Sequence, residues 1–196
     1  MKDGILRMTL VVGVCVLISS FAQALTITDC IFDGASNNSY DWVFEIDDNG
    51  TPGNTSDDLY TLILTETIRS EEPGSVTVIG STLEDPIIHY TKTIKNTSGT
   101  DWTGYELIIS GTNVSFDYTN LPFSDVFLNV DISDPMKIVF SSPNIVKHST
   151  TVVLDFDVLV PDSGSFQICL EQIAIPEPAT MLLLGLGGLV LLRKRI

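Results

Sequence analysis

The side chains that could do chemistry in this sequence are mainly carboxylates, and some of them cluster in predicted loops. Asp47, Asp48 and Asn49 fall in one predicted turn. Asp57 and Asp58 lie in the loop that follows. Hard oxygen ligands on loops suit Ca²⁺, although the spacing does not match an EF-hand loop, which needs a bidentate glutamate at its last position. The sequence therefore offers Ca²⁺ as the one cofactor to consider, with a solvated acidic rim as the alternative.

Neither histidine belongs to a catalytic or metal-binding pattern. His89 shares a strand face with Thr91 and Thr93, which predicts a solvated side chain, and His148 lies in a polar loop. Their spacing does not suggest zinc, and the sequence contains neither a Gly-x-Ser-x-Gly elbow nor a phosphate-binding glycine motif. A glycosidase needs only two well-placed carboxylates, but this chain has so many carboxylates that the sequence cannot identify a catalytic pair. We expect no enzymatic activity, and a polysaccharide-acting enzyme would require a cleft with two close carboxylates.

The amino terminus predicts a secretory signal peptide over residues 1–24. A basic start is followed by an apolar run over residues 8–18, and Ala22 and Ala24 supply the small side chains of a cleavage site. The mature chain would then begin at Leu25. A permanent membrane anchor is the alternative, which the short apolar run and the cleavage site disfavour.

The carboxyl terminus combines a short motif with an apolar segment. Residues 175–180 read Ile-Pro-Glu-Pro-Ala-Thr, and the predicted membrane helix covers residues 179–192. Its uninterrupted apolar part, residues 181–192, would be about 18 Å long as a helix, whereas the hydrocarbon core of a bilayer is about 30 Å thick. A membrane span here is therefore short and strained.

The apolar segment ends in a basic tail, residues 193–196. Long basic side chains can reach the membrane interface and lengthen a short span. By the positive-inside rule this end stays cytoplasmic, which leaves the rest of the chain on the other side. The basic residues of this stop are Arg193, Lys194 and Arg195.

The motif, the apolar helix and the basic end together resemble the PEP-CTERM sorting signal of Gram-negative bacteria, a tail also labelled the ice-binding protein C-terminal domain. The resemblance covers only residues 175–196. It implies that an exosortase, a membrane protease-transpeptidase, recognises and cuts the chain near the motif. A plain tail anchor is the alternative from hydropathy alone. The motif residues are Pro176, Glu177, Pro178, Ala179 and Thr180.

The resemblance also implies a route and a destination. The protein would be held in the inner membrane with its domain in the periplasm, and then passed to the cell surface or the extracellular matrix. Such proteins are often found with exopolysaccharide, which makes exopolysaccharide a partner to expect beside the exosortase. Ice binding itself would need a flat, regular threonine-rich face, and the threonines here are too scattered to predict one.

Residues 25–174 are long enough for one domain with a sizeable core. The whole chain has 25 acidic and 10 basic residues, and only two of the acids but five of the bases lie outside this region, so its net charge is about −18. Such a charge repels nucleic acid and anionic lipid. It also disfavours direct binding of an acidic polysaccharide unless divalent cations bridge the two. We expect no nucleic-acid partner, and a carbohydrate- or calcium-binding module of the matrix is the alternative function.

Two cysteines, Cys30 and Cys169, remain near opposite ends of this domain. In an oxidising compartment they predict a disulfide that joins the first strand to the last. Two free thiols are the alternative, because Cys169 alternates with the apolar residues of its strand and so lies near a surface or an edge.

The domain is rich in apolar residues at every second position, which predicts about ten short strands. Turn-forming residues separate the runs. This pattern is typical of an all-β, antiparallel two-sheet sandwich of the immunoglobulin-like or jelly-roll-like kind, with a barrel as the alternative. The clearest runs cover residues 42–46, 60–64, 88–94, 105–109, 114–118, 126–130, 136–140 and 152–160.

One segment, residues 92–105, resembles a stretch common in secreted proteins with this tail. A strand ends in an Asn-Thr-Ser-Gly turn, and Trp102 and Tyr105 begin the next strand. Glycine in the turn can adopt a positive φ, so we expect a hairpin whose aromatic residues close the core. Sugar stacking by the two rings is the alternative.

Overall fold

The computed structural model describes residues 25–34, 39–51, 54–70, 72–83, 86–160 and 163–177, and there it is all-β with two six-stranded sheets. A turn of 3₁₀ helix, Thr55–Asp57, interrupts the loop after the second strand. In chain order the strands are β1 Leu25–Gly34, β2 Ser39–Asp47, β3 Leu59–Ile68, β4 Gly74–Thr82, β5 Ile87–Asn96, β6 Trp102–Gly111, β7 Ser115–Asp117, β8 Phe123–Ser124, β9 Asn129–Asp131, β10 Lys137–Val146, β11 Thr151–Leu159 and β12 Gly164–Pro176.

The predicted two-sheet, all-β architecture is confirmed. The first sheet has the order β1-β4-β12-β6-β10-β9, and the second has the order β2-β3-β5-β11-β7 with β8 also paired to β11. Alternate residues of the long strands are buried in one hydrophobic core. This is expected when each sheet packs one face on the core and exposes the other to solvent. Within the described residues no helix is long and apolar enough to span a membrane. The predicted signal helix and membrane helix lie outside these residues.

One strand pair departs from the antiparallel prediction, because β3 and β5 are parallel neighbours. The chain leaves β3, crosses to the first sheet to form β4, and returns to the second sheet as β5. Each crossing reverses the chain direction, so two crossings bring β5 back parallel to β3. Alternation within a strand cannot reveal such a crossing.

The predicted strand over residues 126–130 is confirmed only at its end, where β9 begins at Asn129. Its alternation would bury Val126, Leu128 and Val130, but Leu128 is 69% exposed and Phe127 is the buried residue. The hydroxyl of Ser124 accepts hydrogen bonds from the backbone N–H groups of Val126 and Phe127. A side chain that satisfies the backbone in this way replaces the sheet ladder with a turn.

The predicted hairpin around Gly99 is an arch between the sheets, since β5 belongs to one sheet and β6 to the other. Gly99 does adopt a positive φ of 95°. Asn96 is buried and organises the arch: it accepts a hydrogen bond from the Ser98 N–H and donates to the carbonyls of Thr100 and Val146. The indole N–H of Trp102 donates to Ser98 Oγ at 3.1 Å. The arch therefore connects the two sheets instead of extending one.

A chain of polar side chains crosses the core and joins the two sheets. Glu66 on β3 and Lys92 on β5 form a buried ion pair. Gln172 on β12 donates from Nε2 to Glu66 Oε2 at 2.9 Å, and Tyr105 on β6 donates from its hydroxyl to Gln172 Oε1 at 2.9 Å. Burial lowers the pKa of Lys92, an effect that the nearby Glu66 carboxylate opposes. Burial also raises the pKa of Tyr105, and the nearby Glu66 carboxylate raises it further.

Replacing one partner of this ion pair should destabilise the fold strongly. We expect Lys92→Met to lower the free energy of unfolding by about 3–5 kcal/mol, because it leaves the Glu66 carboxylate buried without its counter-charge. Urea unfolding of the full chain in mild detergent would measure the loss. The double variant Lys92→Met/Glu66→Gln should recover part of it, since glutamine carries no charge and its carbonyl can still accept from Gln172.

Lys95→Met is the matched control, because Lys95 is exposed on the same strand. Its effect should stay within about 0.5 kcal/mol. Equal stability of Lys92→Met and Lys95→Met would show that the buried pair does not hold the fold.

The predicted disulfide between Cys30 and Cys169 is wrong, since both cysteines are free thiols. They flank β4 on opposite sides: Cys30 lies opposite Val78, and Cys169 lies opposite Thr77. Two strand spacings separate their Cα atoms by roughly 9.6 Å, whereas a disulfide needs less than about 7 Å. Adjacent positions of β4 also face opposite ways, so Cys30 points into the core and Cys169 points outward. Burial, with a contribution from Asp29, raises the pKa of the Cys30 thiol to about 12.

The two thiols should therefore differ in reactivity. In a Cys15→Ser variant, we expect maleimide to label Cys169 in the folded protein and to label Cys30 only after denaturation, because the Cys30 thiol is buried and protonated. Intact mass spectrometry of labelled and unlabelled protein would count the adducts. A mass that rises on reduction of the unlabelled protein would contradict the register and show a disulfide.

Candidate functional site

The predicted sorting motif begins inside the last strand of the domain. β12 ends at Pro176, so Ile175 and Pro176 are part of the first sheet. In the β12–β6 pairing Ile175 lies opposite Gly104 and Pro176 lies opposite Trp102, with a shift of register between the two. Proline lacks an N–H and is tolerated at such a point because the strand ladder is already ending there.

Hydrogen bonds hold the backbone of the motif against β6 and the loop before it. The backbone N–H of Glu177 donates to the Asp101 carbonyl at 3.0 Å. The hydroxyl of Thr103 lies 3.4 Å from the Ile175 carbonyl and 3.5 Å from the Pro176 carbonyl. The Glu177 side chain is exposed and free to meet another protein. The fold thus positions the start of the motif through its backbone and leaves its charged side chain outside.

Gly104 makes room for this arrangement. A Cβ at position 104 would lie 2.7 Å from the Phe140 carbonyl oxygen and 3.2 Å from Ile175 Cδ1. Any larger residue would therefore push the Ile175 side chain away from the sheet. The remaining predicted motif residues, Pro178, Ala179 and Thr180, lie outside the described residues, as do the basic stop and the residues of the signal cleavage site.

In the acidic loop predicted to bind Ca²⁺, side-chain oxygens accept hydrogen bonds from N–H groups of the loop itself. Asp47 Oδ1 accepts from the Asn49 N–H at 3.0 Å, and Asp48 Oδ1 accepts from the Gly50 N–H at 2.9 Å. Asn49 Nδ2 donates to the Asp57 carbonyl. These are turn hydrogen bonds typical of Asp and Asn. The hydrogen bond from Asn49 to Asp57 joins the two halves of the loop.

The other aspartates of this loop are also engaged. Asp57 Oδ2 accepts from the Thr51 hydroxyl at 2.9 Å, and Asp58 Oδ2 accepts from the Tyr60 hydroxyl at 3.1 Å. In the described part of the chain, no group of three or more His, Cys, Asp or Glu side chains is arranged to hold a metal ion. Calcium binding by this loop stays a prediction.

A polar cleft on the outer face of the second sheet brings together residues that sequence reasoning did not connect. Asp157 on β11 lies directly opposite His89 on β5 and, on its other side, directly opposite Asp117 on β7. His89 Nδ1 is 2.6 Å from Asp157 Oδ1, and Asn120 Nδ2 donates to Asp157 Oδ2 at 3.0 Å. The Asp157 side chain is only 5% exposed, whereas that of His89 is 38% exposed. His89 is therefore paired with a buried carboxylate, and the prediction of a merely solvated histidine was incomplete.

Asp117 belongs to the same polar group, but only one of its two carboxylate oxygens accepts hydrogen bonds. Its Oδ1 accepts from the N–H and the hydroxyl of Thr119, at 3.2 and 2.9 Å. Its Oδ2 is buried and has no hydrogen-bond partner. Neighbouring residues on directly paired strands have Cβ atoms roughly 5 Å apart, so the Asp117 and Asp157 carboxylates lie side by side. A buried carboxylate oxygen without a donor is costly.

The cleft has a volume of about 570 Å³, within the usual range of small-molecule sites. Asp58 and Tyr60 form one wall with the adjoining loop, and the turn after β7 forms the other. The outward direction of Asp157 and of His89 was readable from alternation. Their contact was not, because it depends on the order β5-β11-β7, whose strands are far apart in the sequence.

The aromatic pair of the arch has a structural role. Trp102 and Tyr105 are both 0% exposed, and their rings pack at a centroid distance of 6.1 Å. Fully buried rings cannot stack on a sugar, which excludes the alternative considered for them. His148 also stays outside any cluster; its backbone N–H donates to Asp101 Oδ1 at 2.8 Å.

Comparison with protein families matches residues 174–195 to the PEP-CTERM protein-sorting motif. The matched segment thus starts within β12, at buried Ala174, and runs through the junction described above. No curated protein and no solved structure matches the chain. The motif implies export, membrane-associated sorting and recognition by an exosortase. The chain therefore carries a PEP-CTERM protein-sorting motif, which begins within the last strand of a two-sheet β domain.

Proposed function

We propose that this protein is a surface or extracellular-matrix component of a Gram-negative bacterium, associated with exopolysaccharide. Its tail would hold it in the inner membrane, with the domain in the periplasm, until an exosortase releases it. The observation that carries the proposal is the match over residues 174–195. The junction adds support, because Pro176 and Glu177 are held at the end of a sheet with the Glu177 side chain exposed.

We also propose that the domain is not an enzyme. The cleft does contain two adjacent carboxylates, which a polysaccharide-acting enzyme would need. However, both oxygens of Asp157 are engaged by His89 and Asn120, and the free oxygen of Asp117 is buried. Neither carboxylate is therefore exposed to a substrate as an acid or a base would have to be.

The second candidate function is a binding module for a carbohydrate of the matrix. The cleft beside His89 favours it, because it has the volume of a ligand site and several convergent polar groups. Assistance by calcium belongs to this candidate and depends on the acidic loop, Asp47–Asn49 with Asp57 and Asp58.

The sorting proposal is tested by deleting residues 178–196. This deletion leaves β12 complete, because the strand ends at Pro176. We expect the truncated protein to lose its membrane fraction and its surface fraction and to accumulate as soluble protein. Fractionation and immunoblotting in an exosortase-containing host would measure this. Unchanged fractionation would refute the role of the tail.

A point variant separates sorting from folding. Glu177→Ala removes only an exposed side chain, since the fold uses the backbone N–H of this residue. We expect the melting temperature to stay unchanged and most of the processed form to be lost. Glu171→Ala, at an exposed glutamate of β12, is the control and should be processed like the unmodified chain.

A further inference from the structure

We propose that Lys92 and Gln172 form an intramolecular isopeptide bond, in which the Lys92 amine displaces ammonia from the side-chain amide of Gln172. Glu66 carries the protons, and the hydroxyl of Tyr105 stabilises the intermediate. The bond joins β5 of the second sheet to β12 of the first sheet through the core. This inference goes beyond the proposed function, since it depends neither on the sorting motif nor on the cleft.

One carboxylate holds the attacking nitrogen and the leaving nitrogen side by side. Glu66 Oε1 contacts Lys92 Nζ, and Glu66 Oε2 accepts a hydrogen bond from Gln172 Nε2 at 2.9 Å. The three side chains come from β3, β5 and β12, so the packing of the two sheets brings them together. Groups that the fold already holds as neighbours react without the entropic cost of finding each other.

The side-chain carbonyl of Gln172 is polarised for attack. Tyr105 donates its hydroxyl to Gln172 Oε1 at 2.9 Å. This is the oxygen on which negative charge develops when an amine adds to Gln172 Cδ. A donor that already points at this oxygen stabilises the intermediate without any rearrangement. Glu66 is the poorer target for the amine, because a carboxylate anion resists nucleophilic attack.

Burial makes the Lys92 amine available as a nucleophile. A lysine attacks only as the unprotonated amine, and loss of water around it favours that form. Burial lowers the pKa of Lys92, against the effect of the Glu66 carboxylate. The four side chains are at most 5% exposed. Exclusion of water at the same place prevents hydrolysis of the amide from competing with attack by the amine.

The reaction needs no co-reactant, because atoms and charges balance within the site. Lys92 passes one proton to Glu66, and its neutral Nζ adds to Gln172 Cδ, whose carbonyl oxygen becomes an oxyanion. Glu66 gives its proton to Nε2, the carbonyl re-forms, the Cδ–Nε2 bond breaks and ammonia leaves. Glu66 then takes a second proton from Nζ. The products are a neutral amide and a neutral carboxylic acid, so the cost of keeping two charges buried is removed.

The bond ties the strand that begins the sorting motif to the opposite sheet. Gln172 and Pro176 both belong to β12, whereas Lys92 belongs to β5. Cys30 and Cys169 are free thiols, so a disulfide between them does not provide such a tie. A pull on the carboxyl-terminal tail is shared between the two sheets through the bond and does not act on β12 alone.

The test is mass spectrometry of the full chain, purified in mild detergent and then denatured. We expect its mass to be lower by one ammonia than the mass of its sequence after any terminal processing. Tryptic digestion should yield a branched peptide in which Lys92 is joined to Gln172. Separate peptides with an unmodified Gln172 would overturn the proposal. A bond between Lys92 and Glu66, formed with loss of one water, would overturn it as well.

A variant of the proton carrier tests the mechanism. Glu66→Gln keeps Lys92 and Gln172 and nearly keeps the size of the side chain, but it cannot move protons. We expect the linked fraction to fall at least about tenfold. Lys95→Met, at an exposed lysine of β5, is the control and should be linked like the unmodified chain. Full linkage in Glu66→Gln would overturn the role of Glu66.

Tyr105→Phe tests the same chemistry should Glu66→Gln fail to fold. It removes only the hydroxyl that donates to Gln172 Oε1. We expect the bond to form at least about tenfold more slowly, measured by mass spectrometry of samples denatured at intervals after a short pulse of cell-free synthesis. A rate equal to that of the unmodified chain would overturn the proposed stabilisation of the intermediate.

Discussion

A polar chain in the middle of an apolar core constrains this domain more than any other interaction. Glu66 and Lys92 come from neighbouring strands of one sheet, and Gln172 and Tyr105 come from neighbouring strands of the other. Burying two charges is unfavourable unless every partner is in place. Each of these strands must therefore keep its pairing register within its sheet, because a slip of one residue would turn its polar group toward the wrong face.

That register extends to the sorting junction, because Gln172 and Pro176 belong to the same strand. Gln172 is fixed in the core, and Pro176 lies four residues further on, at the end of the strand. The hydrogen bonds of Glu177 and Thr103 then align the start of the motif. An exosortase would thus meet a motif that is presented by a folded domain and carries no flexible spacer in the described part.

The outer face of the second sheet is organised by the same strand order. β11 lies between β5 and β7, so Asp157 has His89 on one side and Asp117 on the other. Two adjacent carboxylates repel each other, and His89 and Asn120 reduce the cost on one of them only. The unsatisfied oxygen of Asp117 is unusual among buried polar groups.

The sequence by itself determined the all-β class, the inward side of most strands, the turns, and the sorting motif, because these depend on neighbours a few positions apart. In residues 88–94 Lys92 alternates in step with apolar residues, and in residues 152–160 Asp157 alternates out of step with them. Only the tertiary structure decided the parallel pairing of β3 with β5, the free thiols of Cys30 and Cys169, and the contact of His89 with Asp157. The physical reason is that strand order is set by the packing of two sheets over long sequence separations, and local periodicity carries no record of which strands become neighbours.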